Sequence, residues 1–294
     1  MYMYKIGVVG LKDAWSTEKL LDAVEEQTGY RLLVQMEKVG LDLPAGKAWA
    51  KDVELSRLDA LIIKKIGAVY STDLIDRLEI LRLLSDNGLR IFSSPMSIMR
   101  VLNRLSCTIT LQSAGIPMPR TVITEDVAIG MNAVKTFGTA ILKPLFSTKA
   151  RGMQVVNQDA CSPAVLNAFK ASNSMMYIQE KVDIPGKDLG VVFLGGEYLT
   201  TYARVKDGDG WSTSTAFGGK YEPHAPSKEI VDLARKAQSL FGLDFTCVDV
   251  VETKSGPMVF EVSAFGGFKG IRKTSGIDAA DQYAKYVIKE LESR

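Results

Sequence analysis

Two hydrophobic periods alternate over the first 95 residues of the chain. Continuous apolar runs at Ile6–Val9, Arg31–Met36, Ala60–Lys64 and Arg90–Phe92 are separated by stretches in which apolar residues recur at helical spacing. Runs without a polar face predict strands covered on both sides, as in a parallel α/β sheet. Leu20 and Val24 mark one intervening helix, ended by Gly29. Leu74, Leu78 and Leu81 mark another, begun near Ser71 and ended by Gly88. A small Rossmann-like layer is expected, without the Gly-x-Gly-x-x-Gly turn that holds a dinucleotide.

A helix is predicted over Ser97 to Ala114, stopped by Gly115. Ile116-Pro117-Met118-Pro119 then forces an extended connection, because proline cannot continue a helix. A domain boundary is placed at residue 95, and residues 96–182 read as an α+β unit. Its strands are expected at Val122–Thr124, Ala140–Phe146, Met153–Val156 and Met176–Val182, with helices from Asp126 and over Ser162–Ala171. Residues 183–294 change character. Leu189–Leu194 and Tyr198–Val205 flank Gly195-Gly196 as an antiparallel hairpin. A polar turn at Lys206–Gly210 and an amphipathic helix over Ser227–Gly242 follow. Phe245–Val251 and Met258–Val262 form a second hairpin across Thr253-Lys254-Ser255-Gly256, and a helix over Asp278–Leu291 closes the chain.

The 294 residues are 46% apolar and 24% charged, enough to bury several cores and unlike a disordered or fibrous chain. Lys and Arg total 36 against 34 Asp and Glu, a net charge of +2 that argues against nucleic acid as the partner. The longest run without a charge, Leu105 to Pro119, has 15 residues and is rich in Ser, Thr, Gly and Pro. A membrane span needs roughly 20 apolar residues. Met1–Leu11 reads as a buried first strand, not a secretory leader. Cys107, Cys161 and Cys247 are odd in number and widely spaced, which fits a reducing cytoplasm. The single histidine, His224, supplies neither a triad nor a histidine metal site. Chemistry must rest on carboxylates, basic residues and backbone amides.

Three constellations offer such chemistry. Asp249 lies twelve residues before Glu261 on the paired strands of the second hairpin, where the two carboxylates can converge. Inward carboxylates in apolar strands are costly without a cation, so a magnesium site and a solvent-facing acidic pair are both open readings. Lys143 interrupts the apolar run Ile141–Phe146 and is followed by Ser147-Thr148-Lys149-Ala150-Arg151-Gly152. It could reach a phosphate, or snorkel beside a solvated turn. The third is Tyr177-Ile178-Gln179-Glu180-Lys181-Val182 with Gly186-Lys187-Asp188. Lys64-Lys65 ends a buried N-terminal strand facing the expected cleft, consistent with an acidic substrate or with a solvated strand end.

In this order and spacing the three constellations resemble the ATP-grasp superfamily. Within it they resemble the RimK-like carboxylate–amine (glutamate) ligases, and ATP-grasp proteins of bacterial clusters that also carry a kinase resembling HPr kinase. Gly115-Ile116-Pro117-Met118-Pro119-Arg120-Thr121 matches the family's entry into its central subdomain. The resemblance implies an ATP-grasp fold with an N-terminal Rossmann-like pre-ATP-grasp domain (1–95), a central subdomain (96–182) and a C-terminal subdomain (183–294). It implies ATP contacts at Lys143, at Ser147, Lys149 and Arg151 of a phosphate-covering loop, at Gln179, Glu180 and Val182 of an adenine hinge, and at Asp188 for the ribose. Magnesium, with manganese as a substitute, would sit on Asp249, Glu261 and Ser263, and Arg204 would steady the transferring phosphoryl or acyl group.

The chain departs from the family pattern in three places. Asn103-Arg104 stands for the family's Asp-Lys, leaving Arg104 as the phosphate contact. Gly152 is the only glycine of the loop, and Ser263 stands where an asparagine is usual. The implied activity is ATP-dependent ligation of a carboxylate to an amine through an acyl phosphate. A small-molecule or peptide acid and an amine, glutamate or another amino acid, are the implied substrates, and a homo-oligomer is the expected assembly. A kinase, or an ATP-binding regulatory protein with little turnover, is the alternative.

Overall fold

The computed structural model describes residues 3–208 and 212–293. Asp209 and Gly210, the end of the polar turn expected after the first hairpin, lie outside the described residues.

The N-terminal unit contains β1 (Ile6–Val9), α1 (Trp15–Thr28), β2 (Leu33–Val34), β3 (Val39–Asp42), β4 (Lys47–Ala50), β5 (Val53–Glu54), β6 (Ala60–Ile63), α2 (Asp73–Asp86) and β7 (Arg90–Phe92). The parallel sheet has the order β2-β1-β6-β7, and β1 and β6 are buried at every position, as continuous apolar runs require. Gly29 ends α1 in the left-handed region at φ 69°, accepting no side-chain penalty there. The strand expected over Arg31–Met36 shrinks to two residues, because Met36–Lys38 winds into a 3₁₀ turn. That turn leads into a small antiparallel sheet, β3-β4-β5, which the apolar pattern does not announce.

The helix expected over Ser97–Ala114 is broken. It forms α3 (Pro95–Leu102) and α4 (Arg104–Ser113), parted at Asn103. Asn103 takes an extended ψ of 110°, and its side chain accepts a hydrogen bond from the Ser106 amide at 3.2 Å. Asparagine competes with the helix for its own backbone, so the residue that ends α3 also caps α4.

Next come β8 (Thr121–Thr124), α5 (Val127–Phe137), β9 (Thr139–Lys143), β10 (Gln154–Asn157), α6 (Pro163–Lys170) and β11 (Met176–Glu180), in an antiparallel sheet of order β10-β9-β11-β8. Asp126 and Ser162 cap α5 and α6 through their side chains. β11 stops at Glu180, two residues before the expected end. The third sheet, β14-β13-β12-β15-β16, is formed by β12 (Lys187–Leu194), β13 (Glu197–Val205), β14 (Lys220–Pro223), β15 (Phe245–Thr253) and β16 (Gly256–Ser263). α7 (Lys228–Ser239), α8 (Phe268–Ser275) and α9 (Ala279–Glu292) complete the chain. β14 and α8 are not apparent from the sequence pattern. β14 carries Pro223 and lies at the sheet edge, where a missing amide donor is tolerated.

The cores explain how these parts are held. Val9, Ile63 and Leu78 pack in one cluster with Val191, Val248 and Val262, so the first and third units share an interior. Ala140, Leu142, Leu166, Phe169 and Ile178 form a separate small core inside the middle sheet and its helices. The middle sheet therefore stands over the third one across a cleft.

Candidate active site

The cleft has a volume of about 820 Å³ and is lined by the middle sheet, the third sheet, the start of α1 and Lys64 and Lys65 just after β6. On the middle-sheet side, Lys143 ends β9 and is 7% exposed. Its Nζ donates to Gln179 Oε1 at 2.5 Å and lies 5.5 Å from the Phe260 ring centroid. Gln179 is fixed in turn, donating from Nε2 to Thr121 Oγ1 and to the Tyr177 hydroxyl. Burial, with help from the Arg104 charge, pulls the Lys143 pKa down to about 7. A buried ammonium whose hydrogen-bond partner is a neutral amide is poised to accept an anion.

At the end of β11 the backbone changes partners. The Glu180 amide bonds to the Arg120 carbonyl and the Lys181 amide to the Thr139 carbonyl. The Glu180 carboxylate holds Arg120 with two bonds of 2.8 and 2.9 Å, which keeps its pKa low. Among the described residues no backbone carbonyl accepts the Val182 amide, and Val182 lines the cleft. The hinge thus presents backbone polar groups, while the Glu180 side chain is committed to Arg120.

The third sheet supplies the charged floor. Asp249 on β15 is directly opposite Glu261 on β16, and a bulge follows Asp249. Across the next strand pair, Asp188 on β12 faces Arg204 on β13. Arg204 donates through Nε and Nη2 to both oxygens of Asp188, and its Nη2 also lies 2.9 Å from Asp249 Oδ2. Burial works against the Arg204 charge, but Asp249 and Asp188 overcome it and hold its pKa well above normal. Arg104, the first residue of α4, donates to Glu261 Oε2 at 2.9 Å, to the Pro144 carbonyl at 3.1 Å and to Ser147 Oγ at 3.4 Å. One network, Asp188–Arg204–Asp249 and Glu261–Arg104, therefore ties the floor to the start of the loop after Lys143.

Counting guanidiniums alone, three carboxylates meet two cations and leave one negative charge in excess, and the Lys143 ammonium lies close enough to feel the Glu261 charge. Burial pushes the Asp249 carboxyl up to about 6, against the pull of Arg204. Among the described residues no three His, Cys, Asp or Glu side chains form a complete metal cage. Two facing carboxylates with surplus charge nevertheless fit magnesium, which keeps waters and substrate phosphates as its remaining ligands. Ser263, paired with Cys247 two positions along from Glu261, also lines the cleft.

The loop Ser147–Gly152 has an unexpected backbone. Lys149 and Ala150 both adopt φ 57°, and Gly152 φ 70°. The chain takes a left-handed path at two positions where a side chain makes it costly, about 1–2 kcal/mol each. Lys149 lines the cleft, whereas Arg151 is exposed and does not. Asp188, expected at the ribose, has both carboxylate oxygens on Arg204. Tyr70, Tyr202, Phe260 and Lys269 also line the cleft and are not evident from the sequence, because they come from a loop, β13, β16 and α8, which only the fold brings together.

Comparison with known proteins identifies the family. The RimK-like ATP-grasp domain matches residues 101–287. The chain is 25% identical to the tetrahydromethanopterin:α-L-glutamate ligase of Methanosarcina acetivorans, over 97% of this chain and 99% of that one. It is 26% identical to the ribosomal protein bS6–L-glutamate ligase of Salmonella paratyphi B, over 81% of this chain and 79% of that one. The ATP-grasp ligase PsnB, solved with a precursor variant, Mg and ADP, superposes with a TM-score of 0.77 over 99% of this chain and 100% of that one, at 18% identity. A RimK domain protein from Sphaerobacter thermophilus superposes with a TM-score of 0.75 over 96% of this chain and 98% of that one, at 20% identity. No helix among the described residues is long and apolar enough to cross a membrane. The chain belongs to the RimK-like ATP-grasp family and is an ATP-dependent carboxylate–amine ligase.

Proposed function

We propose that ATP lies between the middle and third sheets, with its base against the Val182 hinge and its phosphates along Lys143, Arg104, Ser147 and Lys149. The supporting observation is the placement of Lys143, buried and, among the described residues, hydrogen-bonded to a neutral amide, across the cleft from the Asp249–Glu261 pair. Magnesium, or manganese in its place, would be held by Asp249 and Glu261, with Ser263 beside them. When bound it supplies neutralisation of charge on the γ-phosphoryl group. Arg204, fixed by Asp188 and Asp249, is a preset cation for the transferring phosphoryl or the acyl oxygen. Asp188 acts on this reading mainly by orienting Arg204, and Arg151 contributes by its long-range charge. No side-chain nucleophile is needed, since positioning and electrostatic stabilisation carry phosphoryl transfer.

The substrates are a carboxylic acid, small or at the end of a peptide, and an amino acid or other amine. The chain works in the cytoplasm as a homo-oligomer. The decisive experiment incubates the protein with ATP, magnesium and pooled amino acids and acidic peptides, with hydroxylamine in parallel. An amide product with ADP, and a hydroxamate when hydroxylamine intercepts the acyl phosphate, is the expected result. A stable phosphorylated product without amide would mark a kinase, and bound ATP without turnover across the library would mark a regulatory protein.

A further inference from the structure

A second cavity lies outside the cleft, on the other side of the loop between β1 and α1. It has a volume of about 330 Å³ and is bounded by that loop, α1, the edge strand β2 and the turn between β4 and β5. The two cavities share one partition. Lys12 and Asp13 line the outer cavity, while the next four residues, Ala14 to Thr17, line the cleft. Gly10 packs on Thr17, where a Cβ would lie 2.3 Å from the Thr17 methyl, so little slack separates the loop from the first turn of α1.

Four cations and two acids line the outer cavity, and they are unevenly matched. Arg31 is held at 2.9 Å by each of Glu18, Asp22 and Glu25. Glu18 also accepts the Asp13 amide at 3.1 Å, so this acid is committed. Lys12, Lys38 and Lys51 are exposed, and among the described residues none of them forms an ion pair or a side-chain hydrogen bond. Three free ammonium groups against the Asp13 carboxylate leave a surplus of two positive charges. Like charges gathered at one cavity repel each other until an anion joins them.

The backbone is an independent sign. Among the described residues four that are not glycine adopt positive φ, and two of these, Lys149 and Ala150, belong to the loop after Lys143. The other two, Asp13 at φ 61° and Lys51 at φ 55°, both line the outer cavity. A left-handed backbone is costly for a lysine, and such costs gather at ligand sites.

We propose that the outer cavity binds a small dianion, a dicarboxylate or a phosphate monoester, that is neither the nucleotide nor a reacting substrate. Lys12, Lys38 and Lys51 would hold it, and the start of α1 would carry its occupancy to the cleft. The volume is that of a small-molecule site. This inference goes beyond the ligase reading and does not depend on where ATP lies.

The test uses full-length protein with AMPPNP and magnesium in excess, at fixed ionic strength. Succinate, glycerol 2-phosphate and neutral succinamide are titrated by calorimetry. Saturable binding of one or both anions, absent for succinamide, is expected, and the preferred anion tells a carboxylate site from a phosphate site. Lys12→Gln/Lys38→Gln/Lys51→Gln, at three exposed positions, should weaken that anion about tenfold or more, whereas Lys269→Gln in the cleft should leave it within about twofold. Hydrogen exchange over the first turns of α1 should slow when the anion binds the native protein and stay unchanged in the triple variant. Equal affinity in the triple variant, loss of binding in Lys269→Gln, or no preference over succinamide overturns the proposal. Binding with unchanged exchange overturns the link to the cleft.

Discussion

The cations of the cleft are of two kinds. Arg104 and Arg204 are matched to Glu261, Asp188 and Asp249 on the third sheet and α4. Lys143 and Lys64 donate to a neutral amide and a backbone carbonyl, and among the described residues Lys65 and Lys269 form no ion pair. The difference follows from side-chain chemistry. A guanidinium stays charged and forms forked bonds, so it can organise carboxylates permanently, whereas a buried ammonium gives up its proton more easily and regains it when an anion arrives. The paired arginines are a fixed frame. On the proposed placement of ATP, the lysines are the part of the site that waits for ligand.

Breaking the frame has the largest expected effect. Asp249→Asn and Glu261→Gln should each lower turnover about a thousandfold while weakening ATP binding far less, because charge on the γ-phosphoryl group grows toward the transition state. Single-turnover ADP formation set beside ATP affinity checks this. Near-native turnover would make the pair structural. Lys143→Met should cost about 10- to 100-fold in ATP affinity by calorimetry, with no loss of thermal stability, since it removes a buried cation along with a phosphate contact.

The waiting lysines also predict pH dependence. Lys143 has a pKa near 7, and a bound triphosphate favours its charged form. ATP binding at pH 8 should therefore take up a proton, and affinity should fall as pH rises above 7. Calorimetry in buffers of different ionisation enthalpy reads the proton directly, and Lys143→Met should abolish it. For Lys64 the sign concerns folding. Its pKa falls from the usual 10.5 to about 7 through burial, so the unfolded chain binds more protons between those values and stability rises with pH across that window. Lys64→Met should flatten that rise in a thermal-unfolding series from pH 7 to 9. The smallest effect belongs to the loop. Ala150→Gly relieves a left-handed backbone at φ 57° and should stabilise by about 0.5–1 kcal/mol in chemical denaturation, whereas a loss would show that the conformation is not strained.

Local chemistry made much of this legible in advance. Gly29 at a left-handed helix end, Asp126 and Ser162 as caps, and the buried runs of β1 and β6 are dictated by residue type and period alone. Asp249 and Glu261 could be paired because a hairpin fixes its register within a few residues. The break at Asn103 was missed because an apolar period continues across it, and α8 because its apolar residues are few and its partners lie on β13 and β14.

What the sequence by itself determined is therefore most of the elements, though not the β3-β4-β5 sheet, β14, α8 or the break at Asn103, and the identity of the acids, Lys143 and the loop that follows it. Only the tertiary structure decided which charges meet. Arg104 and Glu261 are 157 positions apart and Lys64 and Gly266 are 202 apart. No local period encodes such separations, since they depend on which faces two shared cores bring into one cleft. For the same reason Asp188 could be recognised as an acid of the site from the chain alone, but that both its oxygens rest on Arg204 is a property of strand register in the folded sheet.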